Sequence, residues 1–146
     1  MSNIELMHGT SSSLLKLIKE NGLIPPLYSN IKTNKETKSE DSIYLTSNVN
    51  YAKRFADLAV SKFGGEKIII TVKLDSNNLF IDEDVLTEYL DSDENGYYFA
   101  NDEDESRYYT LEQINNLTGL DSLNIDEKCR YKGIIKPEMI CHIEKC

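Results

Sequence analysis

Apolar residues in this sequence arrive in short bursts, alternately of strand length and of helical period, and that order limits the folds open to the chain more than any other feature. Ile4 to Met7 reads as a strand. Ser11, Ser12 and Ser13 offer capping hydroxyls before Leu14, Leu17 and Ile18, which share a helical face; Asn21-Gly22 stops that helix, with Pro25-Pro26 just beyond. Ser42 to Thr46 is the next strand. Asn50 caps a second helix, in which Ala52, Phe55, Ala56, Ala59 and Phe63 recur at three-and-four spacing until Gly64-Gly65. Ile68 to Leu74 follows as a strongly apolar strand. Leu79 to Ile81 reads as a strand, Asp82 to Leu90 as a short helix with acids in its first turn, and residues 127–135 and 138–145 as two strands joined at Lys136-Pro137. Tyr108 to Leu117 fits a helix or a strand equally. The pattern is α+β, with two helices early and strands late. With 146 residues, no repeat and no Pro- or Gly-rich linker, a single domain over 1–146 is expected around one core.

Two polar stretches interrupt this order. Residues 27–41 have no usable periodicity and are long for a passive connection, which suits a lid or a disordered segment. Asp91 to Ser106 holds seven carboxylates with little apolar content and reads as a solvated loop or insertion.

Charge and composition exclude several classes. The net charge of −9 argues against a protein held to nucleic acid mainly by electrostatics. The average hides an asymmetry: residues 75–127 carry sixteen acids against one base, Arg107, while the rest carries nine acids against fifteen bases. A polyanion can therefore still dock on the second part, where Lys32, Lys35, Lys38, Arg54, Arg130, Lys132 and Lys136 supply a basic face. No apolar run reaches the roughly 18 residues of a membrane span, and MSNIELMHG lacks the order of a secretory signal, so a cytoplasmic protein with no membrane partner is expected. Cys129, Cys141 and Cys146 are odd in number and crowded at one end, unlike a disulfide framework. They lack a paired C-x-x-C knuckle, and strand alternation turns Cys141 and His142 to opposite faces, so no metal site is expected.

Conventional catalytic equipment is missing: there is no Gly-rich phosphate loop and no G-x-S-x-G elbow. One of the two histidines, His8, stands where a strand runs into Gly-Thr-Ser, so its side chain and the backbone around Gly9 can both face a cleft.

Four segments in order, ELMHGTSSSLLKLIKENGLIPP, SIYLTSNVNYAKRFA, KIIITVKLD and EKCRYKGIIKPEMICHIE, resemble the ADP-ribosyltransferase superfamily, in its His-Tyr-Glu branch of diphtheria-type toxins, poly-ADP-ribose polymerases and DarT-like toxins. The resemblance covers most of the chain outside about 75–120 and implies a split β-sheet core. It implies that NAD is the substrate, that His8 hydrogen-bonds its adenosine ribose, and that the main chain of Gly9 grips the nicotinamide carboxamide. Thr10 would line the nicotinamide ribose, Tyr44 would stack on the nicotinamide ring, and Tyr51 would close the other face, with Ser47 as a neighbour. Segment 27–41 lies where the family places its donor loop. The catalytic glutamate of the family opens a late strand; Glu127 fills that place here, with Glu112 and Glu105 as runners-up. Two positions before Glu127 stands Ile125, a departure from the Gln/Glu-x-Glu pattern of arginine-modifying relatives.

The implied chemistry needs few groups. Nicotinamide leaves without a general acid, and one carboxylate facing the oxocarbenium-like sugar stabilises the transition state by roughly 3–4 kcal/mol. The expectation is thus an NAD-dependent mono-ADP-ribosyltransferase, catalytic through Glu127, His8 and Tyr44. Its setting would be a toxin, a phage-defence effector or a phage effector. RNA or DNA is favoured over protein as acceptor, and an antitoxin or inhibitor is a possible partner for the acidic 91–106 segment. The alternatives are an NAD-dependent RNA 2′-phosphotransferase and a non-catalytic binding module on the same fold.

Overall fold

Ile68 to Leu74 is apolar at almost every position because the strand that carries it is covered on both faces. In a computed structural model, which describes residues 3–25 and 41–146, six strands form one antiparallel sheet. They are β1 (Asn3–Ser11), β2 (Ser42–Thr46), β3 (Lys67–Asp75), β4 (Leu79–Ile81), β7 (Lys128–Lys132) and β8 (Ile140–Lys145), in the order β4-β7-β2-β1-β3-β8. On one face, Ile68, Ile70, Val72 and Leu74 of β3 join Leu6, Leu45, Cys129 and Ile135 in the main core. Ile18 enters it from α1 (Leu15–Asn21) and Leu123 from α5 (Gly119–Asp126).

The opposite face of β1 and β3 is covered by α2 (Val49–Phe63), whose Ala52 and Ala56 are fully buried. Contact here is backbone to backbone. A Cβ on Gly9 would stand 1.8 Å from the Ala52 carbonyl oxygen and 2.8 Å from the Ala56 nitrogen. Gly9 is therefore a glycine because a helix lies on it, a reason distinct from the approach of a ligand expected above. Asn48, rather than Asn50, caps α2: its side chain accepts the Asn50 N–H at 2.8 Å, one turn ahead of the first buried alanine.

The expected helix at Asp82 to Leu90 is α3 (Glu83–Tyr89), with Asp82 as its cap. Asp82 is buried, and Ser122 of α5 ties it down: the Ser122 hydroxyl accepts from the Asp82 N–H at 2.9 Å and donates to the Lys128 carbonyl at 2.6 Å. α5 itself escaped the sequence reading, although the Thr118-x-x-Asp121 capping box announces it.

The acidic stretch, expected as a solvated loop or insertion, contains a hairpin. Its apolar minority, Tyr97, Tyr98 and Phe99, makes β6 (Gly96–Phe99), which turns back on β5 (Leu90–Asp93). Phe99 is buried edge-on to Tyr109, and Tyr98 packs likewise on Tyr108. Of the ambiguous 108–117 stretch, Leu111–Asn115 becomes the short helix α4, capped by Thr110. Only Lys128–Lys132 of 127–135 is strand. β7 and β8 lie on either side of β2, β1 and β3, so Cys129 and Cys141 stand four strand spacings apart, ~19 Å. Among the described residues no cluster of His, Cys, Asp and Glu is placed to hold a metal, and no helix is long and apolar enough to cross a membrane.

Two measurements check this packing. Gly9→Ala forces α2 off β1 and should destabilise the protein by about 1–3 kcal/mol in urea unfolding. Burial pushes the Asp82 carboxyl up from 3.8 to about 6. The folded state thus binds the extra proton between those values, and stability is lost as pH rises through 6. Asp82→Asn keeps the capping oxygen, so it should stabilise the protein at pH 7 by up to ~3 kcal/mol, a gain that disappears below pH ~4.

Candidate active site

β1 is zipped to β3 by nine residue pairs from Asn3↔Asp75 to Ser11↔Lys67, but it meets β2 at one pair, Met7↔Thr46. The strands part at that point, with His8 and Tyr44 on either side of it.

That register would turn His8 and Tyr44 to opposite faces of an ideal sheet. What joins them is the imidazole, whose Nδ1 lies 3.1 Å from the Tyr44 carbonyl oxygen. A carbonyl only accepts, so Nδ1 carries the proton and the neutral ring presents Nε2 as an acceptor. Burial lowers the His8 pKa below 6.5, partly opposed by the same hydrogen bond, and so keeps the ring neutral. Beyond it Gly9, Thr10 and Ser11 are buried, with the Ser11 hydroxyl donating to the Gly64 carbonyl.

Tyr44 is half-buried, and its phenol donates to Glu83 Oε1 at 2.9 Å. Arg130, its partner across the β2–β7 ladder, brings Nε within 3.5 Å of the same oxygen. The guanidinium also donates to the Ile81 carbonyl at 2.9 Å and to the Ser42 hydroxyl at 3.0 Å. Sequence reasoning missed Glu83, for which the signal was only an acid in the first turn of a short helix. It also assigned Arg130 to a basic face, whereas only 14% of that side chain is exposed.

Tyr51, in the first turn of α2, donates its phenol to Asp126 Oδ1 at 2.8 Å. The Arg54 guanidinium and the Lys128 ammonium sit over its ring, 4.8 and 4.5 Å from the centroid. Asp126 ends α5, and Glu127 follows as its C-cap. Glu127 does not open the strand, as expected from the sequence, but stands one residue before it in the left-handed region, with φ 57°. Its carbonyl accepts from the Thr46 hydroxyl at 2.6 Å and from the Ser47 N–H at 3.1 Å, while its side chain is exposed. Ser47 is exposed beside it. Glu105 and Glu112 are exposed residues of the segment that follows β6, the first in a turn and the second on α4. Residues 27–40 of the expected lid, with Lys32, Lys35 and Lys38, lie outside the described residues.

No protein-family model matches the sequence, and no curated protein matches it. A solved structure named EcPltA superposes on 97% of this chain and 74% of its own, with a TM-score of 0.52 at 12% identity. The chain shares that fold. The superposition spans nearly the whole of the described chain.

The state of His8 is measurable. Because its folded pKa is depressed, the unfolded chain binds more protons below pH ~6.5, and stability falls as pH drops from there through the folded value. NMR titration should place the His8 ring below 6.5, with Nδ1 protonated in the neutral form. His8→Gln should flatten the loss of stability between pH ~6.5 and the folded value.

Proposed function

We propose that the protein is a mono-ADP-ribosyltransferase that takes ADP-ribose from NAD and places it on a macromolecular acceptor, with Glu127 as the catalytic carboxylate. The observation that carries this reading is the backbone at Glu127. It is the only non-glycine among the described residues with positive φ. A left-handed residue bearing a Cβ costs about 1–2 kcal/mol, and such strain clusters at functional sites. Here the exposed Glu127 stands at a junction whose carbonyl accepts from the Thr46 hydroxyl and the Ser47 N–H, on the corner between Tyr44 and Tyr51.

The donor set suits the dinucleotide. His8 Nε2 can accept from a ribose hydroxyl, and the edge of β1 beyond Met7 leaves its pairing with β2 where the main chain of Gly9 and the side chain of Thr10 follow. Tyr44 on β2 and Tyr51 on α2 each have the hydroxyl anchored by a carboxylate, and the Arg54 and Lys128 cations lie over the Tyr51 ring. Cleavage of the nicotinamide–ribose bond develops positive charge on the sugar, and a carboxylate facing that charge stabilises the state. The fold shared with EcPltA supports a whole-domain reading, as does the order of the four sequence segments that resemble the ADP-ribosyltransferases.

The 2′-phosphotransferase reading needs arginines for RNA phosphate, and all three in the chain are engaged. Arg54 lies over Tyr51, Arg107 pairs with Asp102 and Asp104, and Arg130 is held at Glu83. A nucleic-acid base remains the favoured acceptor, in a toxin, phage-defence or phage setting, and the basic side chains outside 75–127 are its support.

Wild type and Glu127→Gln are incubated with labelled NAD and separate pools of RNA, single-stranded DNA, duplex DNA and extract protein. Label on one pool, reduced about 10²–10³-fold in the variant, is the expected result. Label that persists in the variant assigns the carboxylate elsewhere, and no nicotinamide release from any pool favours a binding module. Glu127→Gly should abolish labelling yet leave the fold unchanged or up to ~1 kcal/mol more stable, because glycine relieves the positive φ.

A further inference from the structure

Asp126 is a carboxylate that the reaction as described does not use, and it is the best-buried acid of the site, with 10% of its side chain exposed. One oxygen accepts the Tyr51 phenol, 75 residues away in sequence; the other lies 3.3 Å from the ammonium of Lys128, itself only 17% exposed. The same ammonium rests over the Tyr51 ring. Burial and the charge of Asp126 also push the Tyr89 phenol up to about 12, and the hydrogen bond to Asp126 raises the Tyr51 phenol, so both phenols stay protonated beside the carboxylate.

The order Asp126-Glu127-Lys128 puts a cation directly after the residue proposed to act as the catalytic anion. An ammonium this close to a carboxylate, in a partly buried setting, pairs with whichever anion is better placed, since removing either from water must be offset by a counter-charge. Resting on the reading of Glu127 given above, we propose that Asp126 is a positioning residue, which holds the Lys128 ammonium against Tyr51 and thereby keeps the Glu127 carboxylate available to the substrate. Without the charge at 126, Lys128 keeps its half-buried place and takes Glu127, the adjoining carboxylate, as its partner. That pairing draws the Glu127 side chain inward and cancels the field that the developing positive sugar requires. Tyr51 has a part in the device: its ring seats the ammonium, and its hydroxyl fixes the carboxylate that neutralises it.

The test is a double-mutant cycle on NAD turnover, read as nicotinamide release, with folding checked by circular dichroism. Asp126→Asn keeps the volume and an oxygen for the Tyr51 hydroxyl but removes the charge. It should lower kcat about tenfold or more with KM for NAD changed less than about threefold. Adding Lys128→Met removes the competing cation, and the double variant should recover most of the lost kcat. A merely structural Asp126 predicts the opposite, since the second substitution would only add damage. An Asp126→Asn enzyme as fast as wild type, or one that Lys128→Met fails to rescue, overturns the proposal. The cycle can still be read if Asp126→Asn alone fails to fold. Equal kcat in Lys128→Met and in the double variant then supports the proposal, and a further loss in the double overturns it. A wild-type protein that releases no nicotinamide overturns the functional reading and this proposal with it, whereas an active wild type with an unaffected Asp126→Asn variant overturns the proposal alone.

Discussion

The parting of β1 from β2 after a single residue pair is the constraint on which the rest of the site depends. A sheet strand normally spends both edges on its neighbours, because an unpaired buried peptide group costs about as much as a lost hydrogen bond. β1 spends one edge on nine pairs with β3 and releases most of the other. The His8 imidazole replaces part of what is lost by bonding the Tyr44 carbonyl across the gap. That replacement has a chemical consequence: it selects one tautomer, and burial keeps the ring neutral.

A second constraint lies at the junction of α5 and β7. The chain must leave a helix, reverse into a strand and pair with β2 within one residue, and Glu127 absorbs the change in the left-handed region. Glycine is the usual answer at such a position. A charged residue stands there instead, with its carbonyl bonded twice and its side chain exposed. The carboxylates around it are used differently: Asp126 and Glu83 are tied to tyrosines and cations, and Asp82 is a buried cap whose pKa is raised.

The elements with a clear apolar period were legible in the sequence. α1, α2 and β1 to β4 stand close to where periodicity and turn residues put them, because each buries one continuous face or, in β3, two. The β5–β6 hairpin was hidden by its composition: its carboxylates outnumber the aromatic side chains, yet Phe99 and its ring partners are enough to hold it together. α5 was hidden because it is short and only weakly amphipathic, and its burial against β4 and β7 is decided by tertiary packing. His8 and Tyr44, singled out from order and context, stand next to each other across the parting. Glu83 and Asp126 could not be singled out, since an acid in a helical turn looks the same whether it meets water or a tyrosine.

The sequence by itself determined the α+β pattern, the strongly apolar strand at Ile68 to Leu74 and the lack of metal-ligand spacing, because these follow from periodicity and side-chain type. Tertiary structure alone decided that α2 lies on the backbone of Gly9, that Arg130 faces inward to Glu83, and that Tyr51, Asp126 and Lys128 surround the turn at Glu127. Each of these depends on pairing between residues far apart in the chain, where register and helix approach choose the neighbours, and no local pattern records that choice.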